Sequence, residues 1–411
     1  MSQLNLDTAV IDQLKGVEKK KYLLKIRILK ALFVNGPQTV SWICKNVKVS
    51  SPNAMSILNE MLARNIIEKK GFGKSIGGRK PDLYGFVSTS LFIVAIELSV
   101  YQMRISIFNA INEQVVEAEE YSLYLDNNES TLDTIIDRTN SLINKTKIDH
   151  KKLLGIGISM PGLVDSEKGV NYTFLNYNNR PITEIIQNKI GCPVFIENDA
   201  KAMALAEHIL GSAKGVNDFL LLFIDMGVGL GMVLNGKLYR GAMGFAGEFS
   251  HIPIVEDGKL CECGKLGCLQ TVASGINIIS MVEEGVQQGI TSIQLDDVDK
   301  TSKYKELIKV INAAVEGDQY AIRILDETGK ILGKGISTLI QLFNPKSIVL
   351  SGILSESGDL ITNPIKQGIN THAMKQISEH VKIEISKFGK ELGLYGALAI
   401  VMDKIFEEYI K

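Results

Sequence analysis

Three of the chain's five cysteines, Cys261, Cys263 and Cys268, fall within eight residues, and His251 stands ten residues before the first of them. Thiolates and imidazole are the ligand set of a tetrahedral structural zinc. The spacing His-x9-Cys-x-Cys-x4-Cys gathers four such groups on one short stretch, GEFSHIPIVEDGKLCECGKLGCLQ, residues 247–270. Gly264 and Gly267 allow that stretch to turn tightly enough to aim all four inward. Three incidental thiols, or a disulfide, are the competing readings. The disulfide is disfavoured because the N-terminus, MSQLNLDTAVIDQLKG, lacks the basic start and apolar core of a secretory signal. Reduced thiols and a cytoplasmic location follow as expectations, with Cys44 and Cys192 as ordinary buried thiols. A metal here would rigidify a loop that begins with Gly247-Glu248. A fixed carboxylate beside an imidazole suits recognition of a polyhydroxylated ligand.

The elements that must carry this loop are those of a multi-domain chain. Its 411 residues suit two or three domains, and 45% apolar with 22% charged residues is ordinary for a globular protein. No apolar run approaches the roughly 20 residues that span a bilayer, so no membrane insertion is expected. Charge is uneven: residues 1–90 hold 15 Lys and Arg against 6 Asp and Glu, a net of +9, and the remainder holds 30 against 40, a net of −10. A basic module joined to an acidic body is the electrostatic footprint of a nucleic-acid binder.

Within residues 1–88, apolar spacing predicts a helix over 18–34 and a short one over 39–47. A third follows from Ser50 or Ser51 with Pro52 in its first turn. On that third helix Ala54, Ile57, Leu58, Met61 and Leu62 share one face. Ser51, Asn53, Ser56 and Asn59 share the other, small polar side chains able to approach base edges. Strands at 66–70 and 82–87 flank the tip GFGKSIGGRKP. Three helices and a basic hairpin make a winged helix-turn-helix, with Lys74, Arg79 and Lys80 on the wing reaching phosphate or a minor groove. A plain bundle and a solvated loop are the alternatives.

Beyond residue 88 strands alternate with helices, which implies α/β architecture. Strands are expected at 91–98, 102–109, 113–124, 153–159, 193–197, 219–225, 231–235 and 347–351. Helices are expected at 131–147, 182–190, 198–210, 318–343 and 391–409. Residues 125–130 and 290–303 read as polar surface connections. Two sets of three strands followed by a helix suggest two similar lobes with a cleft between them.

The stretches GISMPGLVD (157–165), ENDAKAMALAE (197–207), GVGLGMVLNGKLYRGAMGFAGEFSH (227–251), CECGKLGC (261–268) and LFNPKSIVLSG (342–352) together resemble the ROK family of repressors, open reading frames and sugar kinases. The N-terminal module resembles its repressor branch, which includes xylose-, N-acetylglucosamine- and glucose-responsive repressors. The resemblance implies an actin-like (hexokinase/ribonuclease H-like) two-lobed sugar-binding body behind the winged helix-turn-helix. Its boundaries would be 1–88 for the DNA-binding domain, 89–200 for the first lobe (closed by a C-terminal helix, 391–411) and 201–390 for the second lobe with the zinc loop. It implies one structural Zn2+ per chain, on His251, Cys261, Cys263 and Cys268. It implies a sugar site in the cleft, with Asn198 and Asp199 matching the family's Asn-Asp pair, and with Glu248, His251, Asn176 and Gln270 as further contacts. Asp199 would be the general base if the chain were a kinase. A helix N-cap is the plainer reading of Asn198-Asp199.

The chain departs from the kinase pattern at three phosphate contacts. Glu97 stands where the first strand usually ends in Asp, with Ser99, Val100 and Tyr101 replacing a glycine-rich turn. Asp225-Met226-Gly227-Val228-Gly229 replaces a Gly-Thr-Gly-x-Gly loop, and Ser351-Gly352-Ile353 alters the adenosine-side glycines. Gln270 replaces a usual Glu in the sugar site. These departures favour a sugar-responsive transcriptional repressor of carbohydrate uptake or catabolism over an ATP-dependent sugar kinase, and so no enzymatic activity. Operator DNA, a sugar or sugar derivative, and a second or fourth copy of the chain are the expected partners, with a transporter component as a further possible one.

Overall fold

The computed structural model describes residues 14–74, 80–291, 293 and 303–407. The chain divides into two compact units, one running up to Asn198 and resuming from Leu394, the other Asp199–Gly393.

The first unit opens with α1 (Gly16–Asn35), β1 (Gln38–Thr39), α2 (Val40–Val47), α3 (Ser51–Ala63), β2 (Ile67–Phe72) and β3 (Asp82–Phe86). The strands form a three-stranded sheet ordered β1-β3-β2. The short strand β1 was not expected: Gln38 and Thr39 pair with Tyr84 and Leu83. The Thr39 hydroxyl then accepts from Trp42 N at 3.2 Å, so the same residue ends the strand and caps α2. Ile26, Leu29, Leu32, Ile43, Leu58 and Met61 fill the interior. Lys25 is buried among them, and its ammonium donates to Glu60 at 3.2 Å, tying α1 to α3. Burial lowers the lysine from its ordinary value, and the Glu60 carboxylate works against that. Cys44 is half-buried on α2, not buried as expected, because the burial stripe of that helix runs through Ile43 and Val47.

The rest of this unit is a five-stranded sheet ordered β10-β7-β4-β5-β6, from β4 (Phe92–Leu98), β5 (Gln102–Asn109), β6 (Glu119–Ser122), β7 (Leu153–Met160) and β10 (Val194–Asn198). β4, β5 and β6 run antiparallel, while β7 and β10 lie parallel to β4. The hairpin β8 (Val164–Asp165) and β9 (Val170–Asn171) follows β7. α4 (Glu129–Thr146) and α5 (Ile182–Ile190) bury Ile135, Ile136, Leu142, Ile182 and Ile186 against one face of the sheet. β6 is shorter than the expected 113–124 strand. The Asn109 amide oxygen accepts from Ile111 N and Glu113 N, which turns the chain before pairing resumes.

The second unit repeats the plan. Its sheet is ordered β13-β12-β11-β14-β15, from β11 (Phe219–Ile224), β12 (Val228–Leu234), β13 (Lys237–Leu238), β14 (Ser347–Ser351) and β15 (Lys382–Ile385). Again three strands are antiparallel and the last two parallel. Its helices are α6 (Asp199–Ile209), the turn α7 (Gln270–Ala273), α8 (Gly275–Gln287), α9 (Lys303–Val315), α10 (Gln319–Phe343), α11 (Asp359–His372) and the turn α12 (Lys375–Ser378). Strand β12 begins three residues before the expected 231. Helices α8, α9 and α11 had not been expected. Among the described residues no helix is long and apolar enough to cross a membrane.

The last helix, α13 (Leu392–Glu407), returns to the other face of the first sheet. Its approach is close: a Cβ at Gly157 on β7 would sit 1.9 Å from the Ala397 carbonyl oxygen. Tyr395 packs edge-on against Phe108 at 5.1 Å. Because the obstacle at Gly157 is backbone, Gly157→Ala must shift the helix, and overpacking of this kind costs about 1–3 kcal/mol. The variant is expected to show a lower urea midpoint with an unchanged slope; an unaltered midpoint would mean that α13 is free to move.

Candidate functional site

The site in the second unit is built where the start of α6 meets β12. Gly229 and Gly231 make that meeting possible. A Cβ at Gly231 would lie 2.3 Å from Ala200 O, and one at Gly229 would lie 2.8 Å from the Ala200 Cβ. With bare backbone there, the first turn of α6 presses onto the strand and carries Asp199 with it. One Asp199 oxygen accepts from Ala200 N at 2.7 Å. Burial pushes this carboxyl up to about 6, with the Glu248 and Asp225 charges adding and the Ala200 N–H and Lys201 opposing.

Glu248 reaches the same place from the loop after β13. Gly247, at φ 93°, packs so tightly that a Cβ would lie 2.5 Å from Leu230 O on β12. Glu248 then leads into a 3-10 turn, Phe249–His251, in which Phe249 is buried. Solvent reaches Glu248, but the surrounding protein displaces enough water to raise its carboxyl from the ordinary value, against the pull of Lys201 and His251.

Beyond the 3-10 turn the four candidate ligands converge. Donor atoms of His251, Cys261, Cys263 and Cys268 all lie within 4.8 Å of one another. Cys263 Sγ and Cys268 Sγ are 3.6 Å apart, and Cys261 Sγ is 3.5 Å from His251 Nδ1. Tetrahedral zinc with Zn–S bonds of about 2.3 Å needs sulfurs about 3.8 Å apart. The donor set and its spacing are therefore compatible with such an ion, and Nε2 is the ring nitrogen left to face elsewhere. Gly264 and Gly267 adopt φ of 83° and 68°. Gly267 is also needed for closeness, since a Cβ there would meet Val255 O at 1.8 Å. Leu269 N to Ile252 O and Ile254 N to Gly267 O tie the loop's two ends together. Gln270 is drawn into this loop, its Nε2 donating to Glu262 at 2.8 Å.

In the first unit Asn198 ends β10 and its amide donates to Gly162 O at 3.3 Å. Asn176 serves its own loop, donating to Tyr172 O at 3.2 Å and accepting from Asn179 N at 2.9 Å. On α3, Ser51, Asn53, Ser56 and Asn59 are all exposed, opposite buried Ala54, Ile57, Leu58 and Met61. Lys74 and Lys80 are exposed beyond the point where Gly73 N donates to Pro81 O, whereas Arg79 lies outside the described residues. Burial pushes the Cys192 thiol up to about 12, which keeps it inert.

Two features at the departures from kinase pattern were not foreseen. Arg104 on β5 pairs with Glu97 at 2.8 Å and with Glu120 at 3.2 Å, so Glu97 is held in a row of charges across the sheet. Asp225 accepts from Met226 N at 2.8 Å and from Ile353 N at 3.2 Å, and burial raises its carboxyl while those two N–H groups lower it. Lys201 was also missed. It is buried, and its ammonium donates to Gly244 O at 2.6 Å. A lysine in the otherwise small and apolar run AKAMALA, residues 200–206, was the signal available in the sequence.

A family model described as the ROK family matches residues 93–404. The chain belongs to the ROK family. Among its relatives, the xylose repressor of Caldicellulosiruptor bescii is 30% identical, with 95% of this chain and 98% of that protein covered. The DNA-binding transcriptional dual regulator NagC of Escherichia coli K12 is 26% identical over 95% of this chain and 94% of that protein. Among solved structures, a ROK family transcriptional regulator described as a homologue of the E. coli MLC protein superposes with a TM-score of 0.80 at 25% identity, covering 95% of this chain and 98% of that one. A ROK family glucokinase from Streptomyces griseus shares the fold, with a TM-score of 0.65 at 24% identity, covering 74% of this chain and 97% of that one. The α/β fold with two sheets is thus common to this ROK chain and to both kinds of neighbour.

The Asp199 carboxyl gives a pH signature. An unfolded chain ionises it near 3.8, whereas the folded protein holds the proton until about 6. A raised carboxyl penalises the folded state as pH climbs through that interval, and the penalty is complete above it. Asp199→Asn removes the penalty, so the variant is expected to be more stable than the parent at pH 7.5 by up to about 3 kcal/mol. The gain should shrink as pH falls towards 4. Thermal melts at pH 4.5, 6 and 7.5 check this, and a gain that does not change with pH would refute it.

Proposed function

We propose that this ROK-family chain is a sugar-responsive, DNA-binding transcriptional repressor of genes for carbohydrate uptake or catabolism. The observation that carries the reading is the span of the likeness. The xylose repressor matches 95% of this chain, N-terminal module included, whereas the glucokinase is used up after 74%. The winged helix is what the repressors add, and here it presents a polar face on α3 together with basic wing residues. Domain limits of 1–88, 89–200 with 391–411, and 201–390 fit this division of labour.

In the mechanism, α3 enters the major groove of an operator, with Ser51, Asn53, Ser56 and Asn59 at base edges and Lys74, Arg79 and Lys80 on the backbone. Asn198, Asp199, Glu248 and His251, with Asn176 and Gln270, hold sugar hydroxyls. Paired carboxylates and amides suit vicinal hydroxyls, because each leaves a buried polar group unpaired when the wrong sugar enters. His251, Cys261, Cys263 and Cys268 would hold one zinc ion, whose role is structural since four protein ligands leave no open position. With it in place, the loop keeps Glu248 and the His251 ring in one orientation. The protein acts in the cytoplasm as a homodimer or homotetramer, which lets two winged helices read paired half-sites. Sugar shifts operator affinity by favouring one arrangement of those helices, a coupling of about 1–3 kcal/mol.

The alternative is an ATP-dependent sugar kinase with Asp199 as general base, and a raised carboxyl is suited to accepting a proton. Against it stands Asp225, whose carboxylate already engages Met226 N and Ile353 N where a phosphate would need donors.

Fluorescence anisotropy on DNA from the protein's own upstream region, with and without D-xylose, D-glucose and N-acetyl-D-glucosamine at two salt concentrations, tests the proposal. Tight site-specific binding that one sugar weakens is the expected result; salt-sensitive binding without specificity, unaffected by any sugar, would refute it. Asn59→Ala should cost about 1–3 kcal/mol on the cognate site alone, while Lys80→Ala should weaken all DNA equally and lower the salt slope by about one. Metal analysis should return one zinc per chain. Stripping it with a chelator should abolish the sugar response while circular dichroism still reports a folded body, and a full response in metal-free protein would refute the structural role.

A further inference from the structure

We propose that Lys201 is a positioning residue: its ammonium clamps the glycine-rich loop 241–247 to the first turn of α6, and so holds Glu248 at the Asp199 site. The inference rests on the reading of Asp199 and Glu248 as the sugar site.

Lysine is out of place at this position on general grounds. It lies in the first turn of α6, where the helix dipole disfavours a cation. It is 2% exposed, so its charge has also left water. Its neighbours Ala200, Ala202, Met203, Ala204 and Leu205 show that apolar side chains fill this part of the helix without strain. An apolar residue would therefore serve packing better. What offsets the cost is local. The Gly244 carbonyl accepts from Nζ at 2.6 Å, and the Asp199 and Glu248 carboxylates both lie within electrostatic reach of the ammonium.

The object of the clamp is a loop with little regular structure. It turns through left-handed glycines at Gly241, Gly244 and Gly247, with φ of 74°, 86° and 93°. It closes on itself through Ala246 N to Arg240 O at 3.0 Å, and its tip residue Met243 is 70% exposed. Such a segment has a large conformational entropy to lose. A bond from a buried side chain to the carbonyl at its middle removes much of that freedom before any ligand arrives. Glu248 follows four residues after the clamped carbonyl, so restraint at Gly244 is restraint on where that carboxylate stands. Preorganisation of this kind raises affinity without adding a contact to the ligand.

Full-length wild type, Lys201→Met, Lys201→Gln and Lys201→Arg are compared in two measurements. The first is amide hydrogen exchange of residues 241–248 without sugar. The second is calorimetric titration with D-xylose, D-glucose and N-acetyl-D-glucosamine. In Lys201→Met the loop amides should exchange at least 10-fold faster, with protection in β11 and β14 unchanged, and sugar affinity should fall at least 10-fold. Lys201→Arg, which keeps the donor and the charge, should recover both. Lys201→Gln keeps a donor to Gly244 without the charge and stands in if the Met variant does not fold. Unchanged loop exchange overturns the proposal, as does faster exchange spread over the whole unit. If the wild type binds none of the three sugars, the sugar-site reading fails by itself, and loop exchange still decides the role of Lys201.

Discussion

The site depends on how closely one helix can lie against one strand. α6 reaches β12 only because Gly229 and Gly231 present bare backbone to Ala200. Any side chain at Gly231 would lift the helix N-terminus by the width of a methyl group or more. Asp199 would move with it, away from the strand whose far end leads to Gly247 and Glu248. The Gly247 contact with Leu230 O completes the arrangement from the other side, so one strand is the common reference for both carboxylates. The four-residue donor cluster would fix the segment after Glu248 when a metal is bound, and the Gly244 carbonyl holds the segment before it. Each device is modest in itself, and each removes a freedom that the previous one leaves.

Much of this was legible in the sequence, for identifiable reasons. Cysteine and histidine spacing gave the donor cluster directly, because four ligands within some 18 residues must be local. Exposed and buried faces of α3 followed from helical periodicity. Strands such as β7 and β11 were plain as apolar runs between turn residues. The misses have physical causes too. β1 is two residues long and exists only because β3 supplies its partner, so no local signal announces it. β6 shortened because the ladder to β5 breaks after Val115, where the Ser106 hydroxyl donates to Val116 O, a contest between side chain and strand that pattern alone does not decide. Helix α9 carries a clear apolar stripe through Leu307, Val310, Ile311 and Ala314, so its signal is present in the sequence. Lys201 stands out in the sequence as a lysine among small apolar residues, but its bond to Gly244 O depends on a loop that only the fold brings there.

The two sheets share one strand order, three antiparallel strands followed by two parallel ones, although their sequences show no repeat of short period. The plan is preserved by hydrophobic pattern and connection, while the residues at the strand ends are free to diverge. That freedom is visible in the first sheet, where Glu97, Arg104 and Glu120 stand in register across three strands and hold one another.

Asp225 gives the same freedom a sharper consequence. A backbone turn that grips an outside anion must keep its N–H groups vacant and turned towards the ligand. Here the turn carries its own acceptor, a covalently attached carboxyl, and Ile353 N and Met226 N are already committed to it. The competitor is intramolecular, so an outside anion must displace a tethered group to reach those donors. Replacing Asp225 with a neutral residue would not restore an open grip either, because it would leave two donors stranded in a buried place. The loop is thus self-saturated: both donors are satisfied from within, and opening them to any outside anion requires more than one change.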